Sequence, residues 1–339
     1  MFTTKTSCDV EGTMSYFAPD LVTYTDATLG WDFDSFRALR NIFEQYMPGW
    51  KPPARCYATA ILSNDVSALV HMVDTPELFG GELRILAAVD FCDGKIVRWV
   101  DYWDAVPYDE QLYAQFRTPG ARFPRDLKDA EVPTQAPPEL VAAATALQQA
   151  FAAGDASAAA DLLHTDVVLT DMSLRAQLIG RIETARYLSR VLASVPYGQS
   201  SSLRHVIGGT ASGGFEWTAG PGHRGLVGIT ALELDAGQLI TKVTSVYDSR
   251  QLSPARRAAP CSTTACTPRR SSCSRQRSGH EDRTGASPTF GRPATGHPAS
   301  GQRSPEPAAR ARNRPANPRQ TAPAGGWSHS SPPGTGVPG

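Results

Sequence analysis

Asp93-Gly94-Lys95-Ile96-Val97-Arg98-Trp99-Val100-Asp101-Tyr102-Trp103-Asp104 is the stretch whose reading settles the fold. Asp93-Gly94-Lys95-Ile96 leads into a strand, and strand side chains alternate, so Val97, Trp99, Asp101 and Trp103 share one face. Ala236-Gly237-Gln238-Leu239 through Val246-Tyr247-Asp248 is a loose second copy, and Ala18–Asp26 is echoed by His164–Asp171. The interval is 144 residues from Asp104 to Asp248 and 145 from Asp26 to Asp171. A period that long indicates duplicated domains rather than a solenoid.

Outward from these anchors, the second copy shows a full order of elements. Glu139–Ala153 is Ala- and Leu-rich with no breaker, a helix by propensity that Gly154 ends. Asp155 caps a short helix to Leu163, a strand follows at Val167–Leu169, and a third helix runs from Gly180 to Ala193. Strands are expected around Leu203–Ile207, Gly213–Thr218, Leu226–Leu234 and Leu239–Tyr247. In the first copy Asp34 caps a helix with Phe36, Leu39, Phe43 and Met47 at helical spacing, ended by Pro48. Strands follow at Ala54–Leu62, Val66–Asp74, Glu82–Phe91 and Lys95–Trp103. Before Tyr16 there is no room for a long opening helix, so either the start lies upstream or that cone is open at one end.

The fold class is therefore α+β, with two cone-shaped domains, each a curved antiparallel sheet wrapped around helices. The first spans 1–116 and the second 139–252, joined by a linker over 117–138 that holds Pro119, Pro124, Pro133, Pro137 and Pro138.

The overall balance of 33 bases and 33 acids hides two different chains. Residues 251–339 carry thirteen Arg, no Lys and three acids, a surplus of ten positive charges that the first 250 residues offset. That stretch also holds fourteen of the 27 Pro, with Leu252, Phe290, Trp327 and Val337 as its only large apolar residues. Four such side chains cannot offset the ordering entropy, so a disordered tail is expected over 253–339. Its composition fits a GC-rich gene read out of frame first, a natural disordered tail second, and a basic arm for nucleic acid third. No run of 18 apolar residues or signal-peptide core is present, which places the expected location in the cytoplasm. Cys8, Cys56 and Cys92 are isolated, and Cys261, Cys266 and Cys273 fit no zinc spacing, so reduced thiols and no metal are expected.

Three strands each aim a carboxylate along one kind of face: Val22, Tyr24 and Asp26; Val70, Met72 and Asp74; Trp99, Asp101 and Trp103. Asp101 between two Trp is either a desolvated carboxylate in a pocket or a polar group at a wet sheet end. Asp26 could equally be a turn residue. His71 is read as packed or solvent-bridged, and Gly208-Gly209 and Gly213-Gly214 as hairpin turns, since no helix follows for a phosphate loop. G-x-S-x-G and H-E-x-x-H are absent, which excludes a serine hydrolase and a zinc protease of those types.

This order of elements, with its closing Trp-x-Asp-Tyr-aromatic-Asp, resembles the SnoaL-like group of the nuclear-transport-factor-two-like superfamily. Ketosteroid isomerases, limonene-epoxide hydrolases and polyketide cyclases are relatives in that group. The resemblance covers roughly residues 10–110 and 139–252. Epoxide hydrolases of this kind close on Trp-Arg-Asp-Tyr-Phe-Asp, whose first Asp is the general base and falls here on Asp101. Their Tyr-x-Asn falls on Tyr24-Thr25-Asp26, and their Arg-x-Asp, carrying the general acid, on Met72-Val73-Asp74, so the bridging Arg is lost. Ketosteroid isomerases place their proton-transfer base at Asp26, and their second carboxylic acid falls near Ala87.

The resemblance implies a cofactor-independent acid–base enzyme acting on a small apolar substrate. Epoxide hydrolysis or epoxide-opening cyclisation in polyketide or terpenoid tailoring comes first, with Asp101 as base and Asp74 as acid. The alternatives are an isomerase or aldol cyclase with Asp26 as base and Tyr24 donating to the enolate, and a non-catalytic binding or dimerisation module. Met72, Trp99, Trp103 and Val22 are the expected pocket walls. With no fixed cation among the three Asp, at least one pKa should rise. In the second copy Asp171 is kept, Leu169 replaces Tyr24, Ser245 or Thr244 replaces Asp101, and Thr218 or a neighbour stands near Asp74. Glu216 and His223 are its remaining polar candidates. That copy is expected to be structural, an intramolecular pseudo-dimer partner for the first.

Overall fold

A computed structural model describes residues 1–133, 136–223, 225–254 and 257. The expected tail lies, from residue 258, outside the described residues. Each half is a six-stranded sheet curled over helices. In the first, β1 (Thr23–Asp26), β2 (Trp31–Phe33), β3 (Cys56–Ser63), β4 (Ser67–Asp74), β5 (Leu83–Cys92) and β6 (Lys95–Tyr102) lie in the order β2-β1-β6-β5-β4-β3. The second repeats it as β8-β7-β12-β11-β10-β9, from β7 (Leu163–Asp171), β8 (Ala176–Ile179), β9 (Ser202–Gly208), β10 (Ser212–Thr218), β11 (Val227–Leu234) and β12 (Ile240–Tyr247).

The sheets are antiparallel except at one seam each. β1 pairs parallel with β6, and β7 with β12, because successive hairpins return the last strand beside the first in the same direction. Two short edge strands, β2 and β8, were not expected from the sequence; each is only three or four residues long.

The helices differ between halves. In the second, α6 (Pro138–Ala153) ends at Gly154, whose φ of 73° is the left-handed conformation that suits glycine. α7 (Ala156–Asp161) and α8 (Arg181–Val191) follow. In the first, the place of one long opening helix is taken by two five-residue helices, α1 (Phe2–Thr6) and α2 (Val10–Met14). α1 lies against β3 as α6 lies against β9, so this cone is closed at that end by shorter pieces. α3 (Phe36–Tyr46) is capped by Ser35, not Asp34: the Ser35 hydroxyl accepts from the Ala38 amide at 3.3 Å. α4 (Pro76–Phe79) and α5 (Glu110–Phe116) complete the first half.

Alternation gives each sheet two buried faces. Inner residues such as Leu39, Phe43, Met72, Val89 and Trp103 fill the first cone, and Leu147, Phe151, Tyr187, Trp217 and Tyr247 the second. The outer faces meet each other: Leu69, Leu86, Ala88, Val100 and Tyr102 pack against Ile207, Ile229, Ala231 and Val246. A register shift beside Asp90 leaves Val97 without a partner, so Ile96, not Val97, takes the inner face.

A buried polar knot pins the two sheets at this seam. Arg98, fully buried, donates to Asp90 at 3.1 Å, to Glu216 at 2.9 Å and to the Leu127 carbonyl at 2.7 Å. Tyr102 donates to Glu216 at 2.5 Å, and His205 lies 2.8 Å from Asp90. Glu216 is therefore an interface residue, and Leu127 places part of the Pro-rich stretch inside the molecule. Gly214 also serves the seam, since a Cβ there would meet the Thr230 carbonyl at 2.2 Å and Leu69 at 2.4 Å. His71 faces Lys242 and Glu233; burial, then Lys242, holds its pKa down to about 4. Among the described residues no helix is long and apolar enough to cross a membrane.

Candidate active site

The parallel seam of the first cone builds the site. Asp26 ends β1 and is the register partner of Asp101 on β6, so the two carboxylates project side by side from adjoining strands. Adjacent strands lie about 4.8 Å apart, which brings like charges within strong mutual influence.

Asp101 is 5% exposed and accepts from Tyr24 Oη at 2.8 Å and Trp99 Nε1 at 2.6 Å. Burial, then the Asp26 charge, pushes its pKa up to about 7, against the donors Trp99 and Tyr24 and the cation of Lys5. Asp26 turns the chain as well as facing the cavity. Its Oδ1 accepts from the Thr28 and Leu29 amides at 2.8 and 2.7 Å, and its Oδ2 accepts from Trp103 Nε1 at 3.0 Å. Burial raises Asp26 to about 6, with these three donors opposing the shift. The turn-residue and pocket readings of Asp26 are both satisfied by one side chain.

Tyr24 sits two residues above the Asp26–Asp101 level, opposite Trp99, with which its ring stacks at 6.0 Å and 5°. Its hydroxyl is thereby spent on Asp101. Donation from Tyr24 straight to a substrate oxygen is not the arrangement seen.

Asp74 lies at the end of β4, 2% exposed, and meets a cation the sequence reading lacked. Lys5 Nζ, from α1, is 3.0 Å from Asp74 Oδ2, and Lys5 is itself 3% exposed. Burial works against the Lys5 charge, but Asp74, Cys56 and Asp101 outweigh it and the pKa is raised. The Lys5 ammonium also stands 5.9 Å from the centres of the Trp50 and Phe79 rings. The expectation of three Asp with no fixed cation is thus corrected: a lysine from another element pairs with Asp74. Its only sequence signal was weak. Lys5 is the single base in the first 36 residues, set among acids.

These groups line one cavity of about 60 Å³ with Trp31, Phe33, Phe43, Tyr46, Trp50 and Phe116 among its apolar walls. Of the expected wall residues, Trp103 lines it. Trp99 stands behind Asp101, Met72 is packed in the core, and Val22 lies away from the lining. The aromatic residues of α3 and α5 were missed as walls, because helical spacing marks Phe43 as inward-facing without saying which site on another element it meets.

The second cone shows what the site becomes without these groups. Asp171 on β7 pairs in register with Ser245, as Asp26 does with Asp101, and Leu169 takes the place of Tyr24. Ser245 shares a hydrogen bond with Thr230, to which Trp217 donates. His223 sits in a short turn, Pro221–His223.

No family model matches the chain, and no curated protein matches it. Several solved structures are similar to it. A protein with a cystatin-like fold from Silicibacter pomeroyi is 21% identical, covers 36% of this chain and 81% of its own, and has a TM-score of 0.30. A steroid delta-isomerase from Pseudomonas aeruginosa is 18% identical over 39% of this chain and 92% of its own, with a TM-score of 0.31. A SnoaL-like protein from Burkholderia thailandensis is 12% identical over 32% and 93%, with a TM-score of 0.29. Each spans one cone's worth of this chain. The two halves share one strand order and pairing, an α+β cone repeated. Nothing about activity follows from these likenesses.

Proposed function

We propose that the first cone is a cofactor-independent acid–base enzyme that moves a proton on a small apolar carbonyl compound. One observation carries the reading: Asp26 and Asp101 are register partners at the wall of an aromatic-lined cavity, both shifted toward neutrality. Two adjacent carboxylates in such a place do not both ionise readily, so near pH 6.5 one is a base and the other an acid. Three donors against two favour Asp26 as the anion and leave the proton on Asp101.

The chemistry follows from that division. Asp26 removes a proton from carbon next to a carbonyl, and the C–H electron pair moves into an enolate. Asp101–OH donates a hydrogen bond to the enolate oxygen, while Tyr24 and Trp99 hold Asp101 in place. Asp26 then returns the proton to a different carbon, giving an isomer, or the enolate attacks a second carbonyl in an aldol cyclisation. Asp74 is paired with Lys5 at 3.0 Å, and this reading assigns it no proton transfer.

Epoxide opening is the second reading, and Lys5 is the observation that favours it. In that case Asp101 would act as base toward water, and the N–H donors of Lys5 would meet the leaving oxygen. One experiment separates the two. The protein is incubated with 3-cyclohexen-1-one in deuterated water, and with cyclic epoxides in heavy-oxygen water. Conjugated enone that disappears in Asp26→Asn is expected. Labelled diol that disappears in Asp101→Asn would give the site to epoxide hydrolysis instead. Unchanged rates in both variants would remove the acid–base reading altogether.

A further inference from the structure

The far wall of the cavity holds a polar pair that the proton transfer above does not use. Asp74 is 2% exposed and lines the cavity, yet its Oδ1 has no hydrogen-bond partner. A carboxylate oxygen left without a donor in a buried place is costly, on the scale of a lost charged hydrogen bond. Lys5 also lines the cavity. Its ammonium has three N–H donors. Asp74 Oδ2 takes one at 3.0 Å, and the Cys56 thiol interacts with both the ammonium and the carboxylate. A spare donor on Lys5 and the unpartnered Asp74 Oδ1 thus stand on a single ion pair at the wall of a cavity lined mainly by aromatic and aliphatic side chains.

A group that can fill both at once must accept from nitrogen and donate to oxygen. A hydroxyl does this with one atom. We propose that Lys5 and Asp74 form an anchor for a hydroxyl group of the ligand: Lys5 Nζ–H donates to the hydroxyl oxygen, and the hydroxyl hydrogen goes to Asp74 Oδ1. Resting on the acid–base reading of the site, this narrows the substrate to a neutral cyclic hydroxy-carbonyl compound. Its carbonyl and acidic C–H lie at the Asp26–Asp101 wall and its hydroxyl at the Lys5–Asp74 wall. The rings of Trp50 and Phe79, each 5.9 Å from the Lys5 ammonium, give this wall an apolar surround.

Binding alone tests the anchor, so the outcome does not depend on turnover. Phenol and toluene have nearly the same shape and differ by the hydroxyl. Their affinities for the whole protein are measured by ligand-observed NMR and calorimetry. Phenol is expected to bind about tenfold or more tightly than toluene, as a hydrogen bond to a charged group allows. In Lys5→Met/Asp74→Met, which removes both charges together and so leaves no uncompensated ion, the ratio should fall to about one with toluene binding kept. In Asp26→Asn the ratio should stay as in the wild type even where isomerisation is lost, which separates failure of the anchor from failure of the acid–base reading. Equal affinities in the wild-type protein, or no binding of phenol, would overturn the anchor. So would a phenol preference that survives in the double variant or disappears in Asp26→Asn.

Discussion

The two cones have one topology and opposite interiors. Each presents an aspartate at the same parallel seam, Asp26 beside Asp101 and Asp171 beside Ser245. In each, a ring two residues further along the last strand donates to that aspartate, Trp103 to Asp26 at 3.0 Å and Tyr247 to Asp171 at 3.4 Å. The second cone is filled from above by Leu147 and Phe151 of α6, with Phe151 and Trp217 packed on Tyr197. The first has only α1 and α2 in that place; Phe2 and Met14 pack on the core, but the side chain these helices bring to the cavity is Lys5. The same fold thus becomes a core or a chamber according to what its opening helix carries.

The widest gap between the cones should appear in turnover. Asp26→Asn is expected to lower isomerisation by about 10² to 10⁴-fold, the usual contribution of a positioned base, while Asp171→Asn leaves it unchanged. Steady-state rates on the same enone check both. Equal losses would mean that the second cone is not merely structural. The pH profile sharpens this reading: kcat/KM should rise as Asp26 ionises around pH 6 and fall as Asp101 loses its proton around pH 7.

Next comes the seam. Arg98 with Asp90 has a counterpart in Lys242 with Glu233, the same cross-strand pairing one copy on. Arg98 is fully buried under Glu216 and Leu127, whereas Lys242 is about half exposed. Arg98→Met should therefore cost about 3–5 kcal/mol by stranding two buried carboxylates, and Lys242→Met about 1 kcal/mol or less. Denaturant unfolding of the two variants tests the difference, and similar costs would break it.

A third contrast concerns stability against pH. Burial raises Asp171 to about 7, so between about pH 4 and 7 the folded state holds a proton that the unfolded state has released. Stability from this group is then greatest at low pH and falls as pH rises toward 7, by something on the order of 4 kcal/mol. Asp171→Asn should flatten that fall and raise the melting temperature at pH 8; a steeper fall would contradict the assignment. The smallest expected effect is Tyr24→Phe. Loss of one donor to Asp101 should lower turnover about tenfold and move the alkaline limb of the pH profile upward.

Much of the fold could be read from the chain because it rests on local patterns. The Asp-Gly turn and alternating strand at 93–104, its loose copy 144 residues on, and the breaker-free helix before Gly154 all carry their meaning within a dozen residues. Alternation likewise put Asp26, Asp74 and Asp101 on inner faces. The short edge strands β2 and β8 escaped notice because three or four residues are too few to show a period. Glu216 read as a site candidate because a buried carboxylate looks the same in sequence whether a pocket or an interface surrounds it.

The amino-acid sequence by itself determined that the chain is two copies of one cone and that three strands of the first aim carboxylates inward. Only the tertiary structure decided which cone is hollow, that Asp26 and Asp101 are neighbours, and that Asp74 is held by Lys5. The reason is physical. Strand alternation acts between adjacent residues, but the charge of a buried carboxylate depends on whatever cation, donor or ring the fold brings to it. Lys5 and Asp74 are 69 residues apart in the chain and 3.0 Å apart in space.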